Sequence, residues 1–120
     1  MKPHIEETSF GSITIAGETF EHDVVIRRSG AVEKRRKKLS KEVYGTAHIV
    51  SKEEAKHVYE GGAERVIIGT GQSGVLEISP AAYEWFEKKG CRVEALPTPA
   101  GVRRWNEAEG KVIGLFHVTC

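Results

Sequence analysis

The run Gly69-Thr70-Gly71-Gln72-Ser73-Gly74 follows a short apolar stretch and spells G-x-G-x-x-G. In dinucleotide folds such glycines permit a tight turn and let backbone amides approach a pyrophosphate at a helix N-terminus. Glu94 lies twenty residues beyond Gly74, where a ribose-binding acid would be wanted. That mechanism needs the helix to open inside the glycines, whereas Val75-Leu76-Glu77-Ile78 intervenes before Ser79-Pro80 can start one. The loop therefore reads as a glycine-rich turn, either purely structural or with affinity for a small anion. In the second case Gly69, Thr70, Gly71, Ser73 and Gly74 are the candidate contacts. Ser73 does not stand in a G-x-S-x-G elbow, which argues against a hydrolase.

The five histidines are His4, His22, His48, His57 and His117; no two of them are spaced i,i+4, and there is no cysteine–cysteine knuckle. No metal site and no cofactor are expected from these spacings. His48 follows a loop containing Tyr44 and Thr46 and is a candidate member of a polar cleft, while His117 reads as a hydrogen-bonded histidine at a strand end. Cys120 is expected to lie beside a chain-end carboxylate, which raises a thiol pKa, so nucleophilic work would need a compensating cation such as His117.

The strongest electrostatic feature is Lys34-Arg35-Arg36-Lys37-Lys38, with Arg27 and Arg28 upstream. Read as a strand, the tract puts cations on both faces, so neither face can be fully buried. It is either a charged edge that resists sheet-to-sheet aggregation or a surface for an acidic protein. Nucleic acid is the weaker partner, because no aromatic residues interleave the cations. Residues 27–41 hold eight cations against one anion, Glu33, while the remainder holds ten against sixteen. A near-neutral formal charge of +1 thus conceals a basic segment on an acidic body.

The elements that must position these groups change character near residue 50. In the β-rich part, residues 5–48, Ser12-Ile13-Thr14-Ile15 alternates and Asp23 to Arg28 reads as a strand. Ser29-Gly30 then turns the chain into a returning arm over residues 31–38. Residues 51–118 read as αβαβαβ, which implies a mainly parallel sheet with right-handed crossovers. Ser51-Lys52-Glu53-Glu54 has the form of a capping box, and Ser79-Pro80 and Thr98-Pro99 both look like a cap followed by a first-turn proline. Arg65 to Gly69 and Lys111 to Val118 are apolar on both faces and belong in the middle of a sheet.

At 120 residues the chain is expected to form one domain, residues 1–120. No apolar run approaches a membrane span, and the first residues lack the apolar core of a secretory signal, so a cytoplasmic setting is expected. Two cysteines are too few for a disulfide framework. Gln72 and Asn106 are the only side-chain amides, and charged residues reach 29%, a composition like that of thermophile proteins. Oligomeric state is not legible.

Several segments in order resemble a family of small α/β domains named after a hypothetical protein of a methanogen, which includes the adipogenesis-associated protein and a mitochondrial complex I assembly factor. The resemblance is carried by Phe10-Gly11, Ile13, Ile15, Gly17, Phe20, Asp23-Val24-Val25-Ile26, Gly30 and Arg35-Arg36. It continues through Tyr44-Gly45-Thr46-Ala47-His48, Gly69-Thr70-Gly71, Pro97-Thr98 and His117-Val118-Thr119-Cys120. Trp105-Asn106 stands where Tyr-Asn is usual, and Gly101 replaces an alanine. The resemblance implies a three-layer domain: a mixed central sheet with helices on one side and an N-terminal β-hairpin region on the other. It brings no catalytic residues, and it favours a non-enzymatic adaptor or assembly-type role. The alternative is a small-molecule or anion site at residues 69–74.

Overall fold

The computed structural model describes residues 2–120. Its strands are β1 (Ile5–Ser9), β2 (Ser12–Ile15), β3 (Glu18–Phe20), β4 (Val24–Ile26), β5 (Val32–Lys34), β6 (Ile49–Val50), β7 (Arg65–Thr70), β8 (Glu77–Ile78), β9 (Arg92–Leu96) and β10 (Val112–His117). Its helices are α1 (Lys38–Tyr44), α2 (Lys52–Val58), α3 (Pro80–Lys88) and α4 (Thr98–Glu107). The central sheet has the order β5-β4-β10-β7-β9. Strands β10, β7 and β9 run parallel, while β4 and β5 are antiparallel additions. Strands β1-β2-β3 form a separate antiparallel sheet, and β6 pairs with β8.

The two strands expected at the centre are there, and their side chains split the core. On one face Ile68, Ile113 and Leu115 pack with Ala55 and Val58 of α2 and Ala82 and Phe86 of α3. On the other face Ile67, Val112 and Phe116 pack with Ile5, Ile13 and Ile15 of the hairpin sheet and with Val102 and Trp105 of α4. The three-layer, mixed-sheet architecture stands, with one difference from expectation: α4 lies on the hairpin side. Right-handed crossovers explain this. The connection through α3 steps from β7 outward to β9, and the connection through α4 steps back from β9 across β7 to β10. Reversing the direction of travel while keeping the hand puts the second helix on the opposite face. There Asn106 brackets the β1 backbone, accepting from Ile5 N–H at 3.0 Å and donating to its carbonyl at 2.8 Å.

Three local expectations are corrected. The basic tract is not a continuous strand arm: β5 ends at Lys34, and the chain turns through Arg35 into α1. Ser51 caps α2 through the Glu54 N–H, but the Glu54 carboxylate does not reach back; it faces Arg35 and Ser40. Thr98 does not cap α4; its hydroxyl joins two strand ends instead, as described below. A long-range partner outcompetes the local bond in the last two cases, because each side chain is buried and its partner carries a charge or a stranded backbone group.

Candidate functional site

Strand β10 pairs parallel with β7 and antiparallel with β4, so the C-terminal ends of β7 and β10 lie beside the start of β4. Thr70 and His117 are register partners at that end. The His117 imidazole donates through Nδ1 to Asp23 Oδ2 at 2.7 Å, and the Val118 N–H donates to Asp23 Oδ1 at 2.8 Å. Asp23 Oδ2 also receives Arg35 at 2.9 Å, and Arg35 in turn forks onto both Glu54 oxygens at 2.6 and 3.0 Å. The result is a buried line of alternating groups, Glu54–Arg35–Asp23–His117. Burial alone would push the Asp23 carboxyl up, but the bonds from His117, Val118 and Arg35 outweigh it and hold that carboxyl well below the usual range. Burial likewise opposes the Arg35 charge, and its bonds to Glu54 and Asp23 overcome it.

His48 and Cys120 form the outer wall. Cys120 Sγ lies 3.5 Å from His48 Nε2, and the His48 and His117 rings meet edge to face with centroids 5.7 Å apart. One donor atom each from His48, His117 and Cys120 lie within 4.8 Å of one another. The glycine loop makes this convergence possible. Gly71 has φ +107°, and a Cβ there would sit 2.5 Å from the Thr119 carbonyl oxygen and 2.8 Å from the Cys120 backbone. Its missing side chain therefore admits residues 119–120, not a pyrophosphate. Gln72 N–H donates to the Thr119 carbonyl, Val75 N–H to the Cys120 carbonyl, and Glu77 N–H to the His48 carbonyl. Beneath them the buried Thr98 hydroxyl accepts from Gly71 N–H at 2.9 Å and donates to the His117 carbonyl at 2.6 Å.

This geometry argues against the anion-cradle reading of residues 69–74. The amides of Gly71, Gln72, Gly74 and Val75 are all spent on protein carbonyls or Thr98. The helix α3 begins only at Pro80, beyond β8, and Glu94 pairs with Arg65 at 2.9 Å and Arg104 at 2.6 Å. Of the loop candidates, Ser73 and Gly74 are exposed, Gly69 and Thr70 are buried, and Thr70 lies beside His117 in register. Thr46 Oγ1 accepts from the His48 N–H at 3.1 Å and so shapes the turn before it, whereas Tyr44 is exposed at the end of α1.

The basic candidates part company. Arg35 is buried, against the expectation that neither face of the tract could be fully buried, because the turn after β5 aims it at two carboxylates. Arg27 is engaged with Glu33 and with the His57 and Val58 carbonyls that end α2. Arg28 donates to the Gly61 carbonyl at 2.6 Å. Lys34, Arg36 and Lys38 are exposed, and Lys37 is half-exposed with its Nζ 3.9 Å from Asp23 Oδ2. Lys34 and Lys37 also rim a cleft of about 280 Å³ with Gly11, His22, Asp23 and Thr119. Away from the site, burial pushes the Cys91 thiol up to about 11, which leaves it inert.

Sequence reasoning singled out His48, His117 and Cys120, coupling only the last two, gave Glu54 and Thr98 only capping roles, and missed Asp23 as a site residue. Charged or hydroxylated residues flanking apolar strands were the available signal. It could not name partners, since Asp23 and His117 are 94 residues apart.

Known proteins place the chain. The DUF498 family, described as a protein of unknown function (DUF498/DUF598), matches residues 5–117. A conserved hypothetical protein from Pyrococcus horikoshii, PH1505, is 34% identical over the whole of both chains with a TM-score of 0.90. The structure named MT938 is 33% identical over 99% of this chain and 100% of its own, with a TM-score of 0.86. A Bordetella pertussis protein described as a Mth938-like domain, 20% identical, covers 97% of this chain and 85% of its own with a TM-score of 0.62, and shares the fold. No helix among the described residues is long and apolar enough to cross a membrane. From the family match across nearly its full length, the chain belongs to the DUF498 family.

Proposed function

We propose that this domain is a non-enzymatic, assembly-type binding protein that holds an acidic protein partner through the segment from Lys34 to Tyr44. One observation carries the reading. Arg35 is drawn inward by Asp23 and Glu54 and anchors the segment, so Lys34, Arg36, Lys38 and Lys41 stand exposed on a fixed frame. Val43 and Tyr44, at the end of α1 after Lys41, are 52% and 41% exposed and add apolar area to the charged segment, a combination that suits protein docking. A cytoplasmic setting fits this reading, and the free thiols of Cys91 and Cys120 support it.

The test is charge reversal without loss of fold. Lys34→Glu, Arg36→Glu and Lys38→Glu together leave Arg35 untouched and should leave thermal stability within about 1 kcal/mol of wild type. The same triple variant should lose the acidic protein that the wild-type domain captures, and rising salt should weaken that capture. A partner retained by the variant at wild-type affinity refutes the reading, and so does capture of nucleic acid in place of protein.

A further inference from the structure

Beyond partner binding, we propose that His48, His117 and Cys120 bind a divalent transition-metal ion of the zinc class. Two imidazoles and one thiolate form a borderline-soft donor set that suits Zn²⁺ and disfavours Mg²⁺ or Ca²⁺. The spacing of the His48–Cys120 pair fits as well as its type, and a side-chain adjustment of His48 and Cys120 would bring the pair onto His117. A tetrahedral ion with Zn–N near ~2.0–2.1 Å and Zn–S near ~2.3 Å holds a nitrogen–sulfur edge of ~3.5 Å. His48 Nε2 and Cys120 Sγ stand 3.5 Å apart, and the third donor lies within 4.8 Å of both.

The surroundings also resemble a metal site and not a bare cysteine–histidine nucleophile. Asp23 accepts from His117 Nδ1 at 2.7 Å, which fixes the ring and leaves Nε2 as the donor His117 can offer. Carboxylate–histidine–metal triads are oriented in this way. A nucleophilic thiol would need one histidine; here a second, buried histidine lies within reach, its Nε2 otherwise 3.3 Å from the Thr119 hydroxyl, a contact that an ion would displace. The His117 ring and the backbone that carries the other two donors are held before any ion arrives. His117 is locked in β10, the Cys120 carbonyl accepts from Val75 N–H, and the His48 carbonyl accepts from Glu77 N–H. His48 is exposed, Cys120 half-buried and His117 buried, so an ion could enter from solvent with one coordination position left for water or a ligand atom.

Cobalt titration tests this on the whole, chelator-treated protein. Co²⁺ should bind one ion per chain and give thiolate-to-cobalt charge transfer with tetrahedral d–d bands, and Zn²⁺ should displace it. Cys120→Ser should abolish the charge-transfer band, and His48→Ala should weaken binding at least ~10-fold. His4→Ala, which alters an exposed histidine, should change nothing. Both site variants alter side chains outside the core, so circular dichroism and melting should match wild type. A second readout uses the thiols: Cys91 is buried, so a chromogenic thiol reagent reports Cys120 alone in the native state, and Zn²⁺ should slow that reaction. Absence of the charge-transfer band overturns the proposal. So does wild-type cobalt affinity in Cys120→Ser and His48→Ala, or a Cys120 thiol that reacts as fast with Zn²⁺ as without it.

Discussion

Replacing Arg35 by methionine should cost the domain about 3–5 kcal/mol, the range found when one partner of a buried ion pair is removed. The side chain of Arg35 is 0% exposed, and those of Asp23 and Glu54 are 1% and 0%. Methionine fills much of the same volume but donates nothing, so four hydrogen bonds vanish: two to Glu54, one to Asp23 and one to the Ala47 carbonyl. Asp23 keeps His117 and the Val118 N–H, whereas Glu54 keeps only the Ser40 hydroxyl at 2.5 Å. Most of the loss therefore falls on Glu54 as a carboxylate stranded without a cation. In urea, where m for small domains is ~1–3 kcal/mol per molar, the midpoint should fall by about 2 M with m unchanged. The pH dependence supplies the sharper test. In wild type the Asp23 carboxyl is held low, so its contribution is present above the ordinary carboxyl range near ~3.9 and disappears as pH falls below it. In the variant Asp23 loses the Arg35 bond that helps hold its carboxyl low, so this contribution is smaller from the start. The gap between the two proteins should thus shrink as pH falls below about 4. A neutral-pH difference below about 1 kcal/mol, or a gap independent of pH, would refute the assignment of Arg35 as the buried counter-ion.

Gly71→Ala should cost at least about 2 kcal/mol, since a positive φ and a collision with the Thr119 carbonyl combine, and should weaken cobalt binding by displacing Cys120. Gly45→Ala, at φ +73° with no atom within 4 Å, should cost only about 1 kcal/mol, and equal losses in urea melts for the two would discredit the close-approach argument. Thr98→Val should lose about 2–4 kcal/mol by stranding the Gly71 N–H and the His117 carbonyl, with Thr98→Ser restoring most of it. A thiol titration should count one reactive cysteine in the native protein and two in denaturant. Fast labelling of Cys91 in the folded state would contradict its burial and raised pKa.

Much of the fold is written in short stretches. Apolar runs on both faces mark β7 and β10, the Ser51 and Ser79 caps start α2 and α3, and Ser29-Gly30 closes the β4–β5 hairpin. Periodicity and capping act over a few residues, so neighbouring residue types suffice to read them. The same reasoning failed at Arg35, Glu54 and Thr98, where a buried distant partner took a side chain that local rules had assigned to solvent or to a helix end.

The candidate site shows that division most clearly. By itself the sequence determined which chemistry was in stock: His48, His117, Cys120, a glycine-rich turn and a basic tract, set within alternating helix and strand. Only the tertiary structure decided what each does. It brought Cys120 to His48 across 72 positions and His117 to Asp23 across 94, turned Arg35 inward, and used the glycines to admit residues 119–120 instead of a phosphate. The reason is geometric: the crossovers that return β10 to the middle of the sheet bring the far end of the chain against its first half. Nothing in local residue types encodes which side chains then meet at the strand ends.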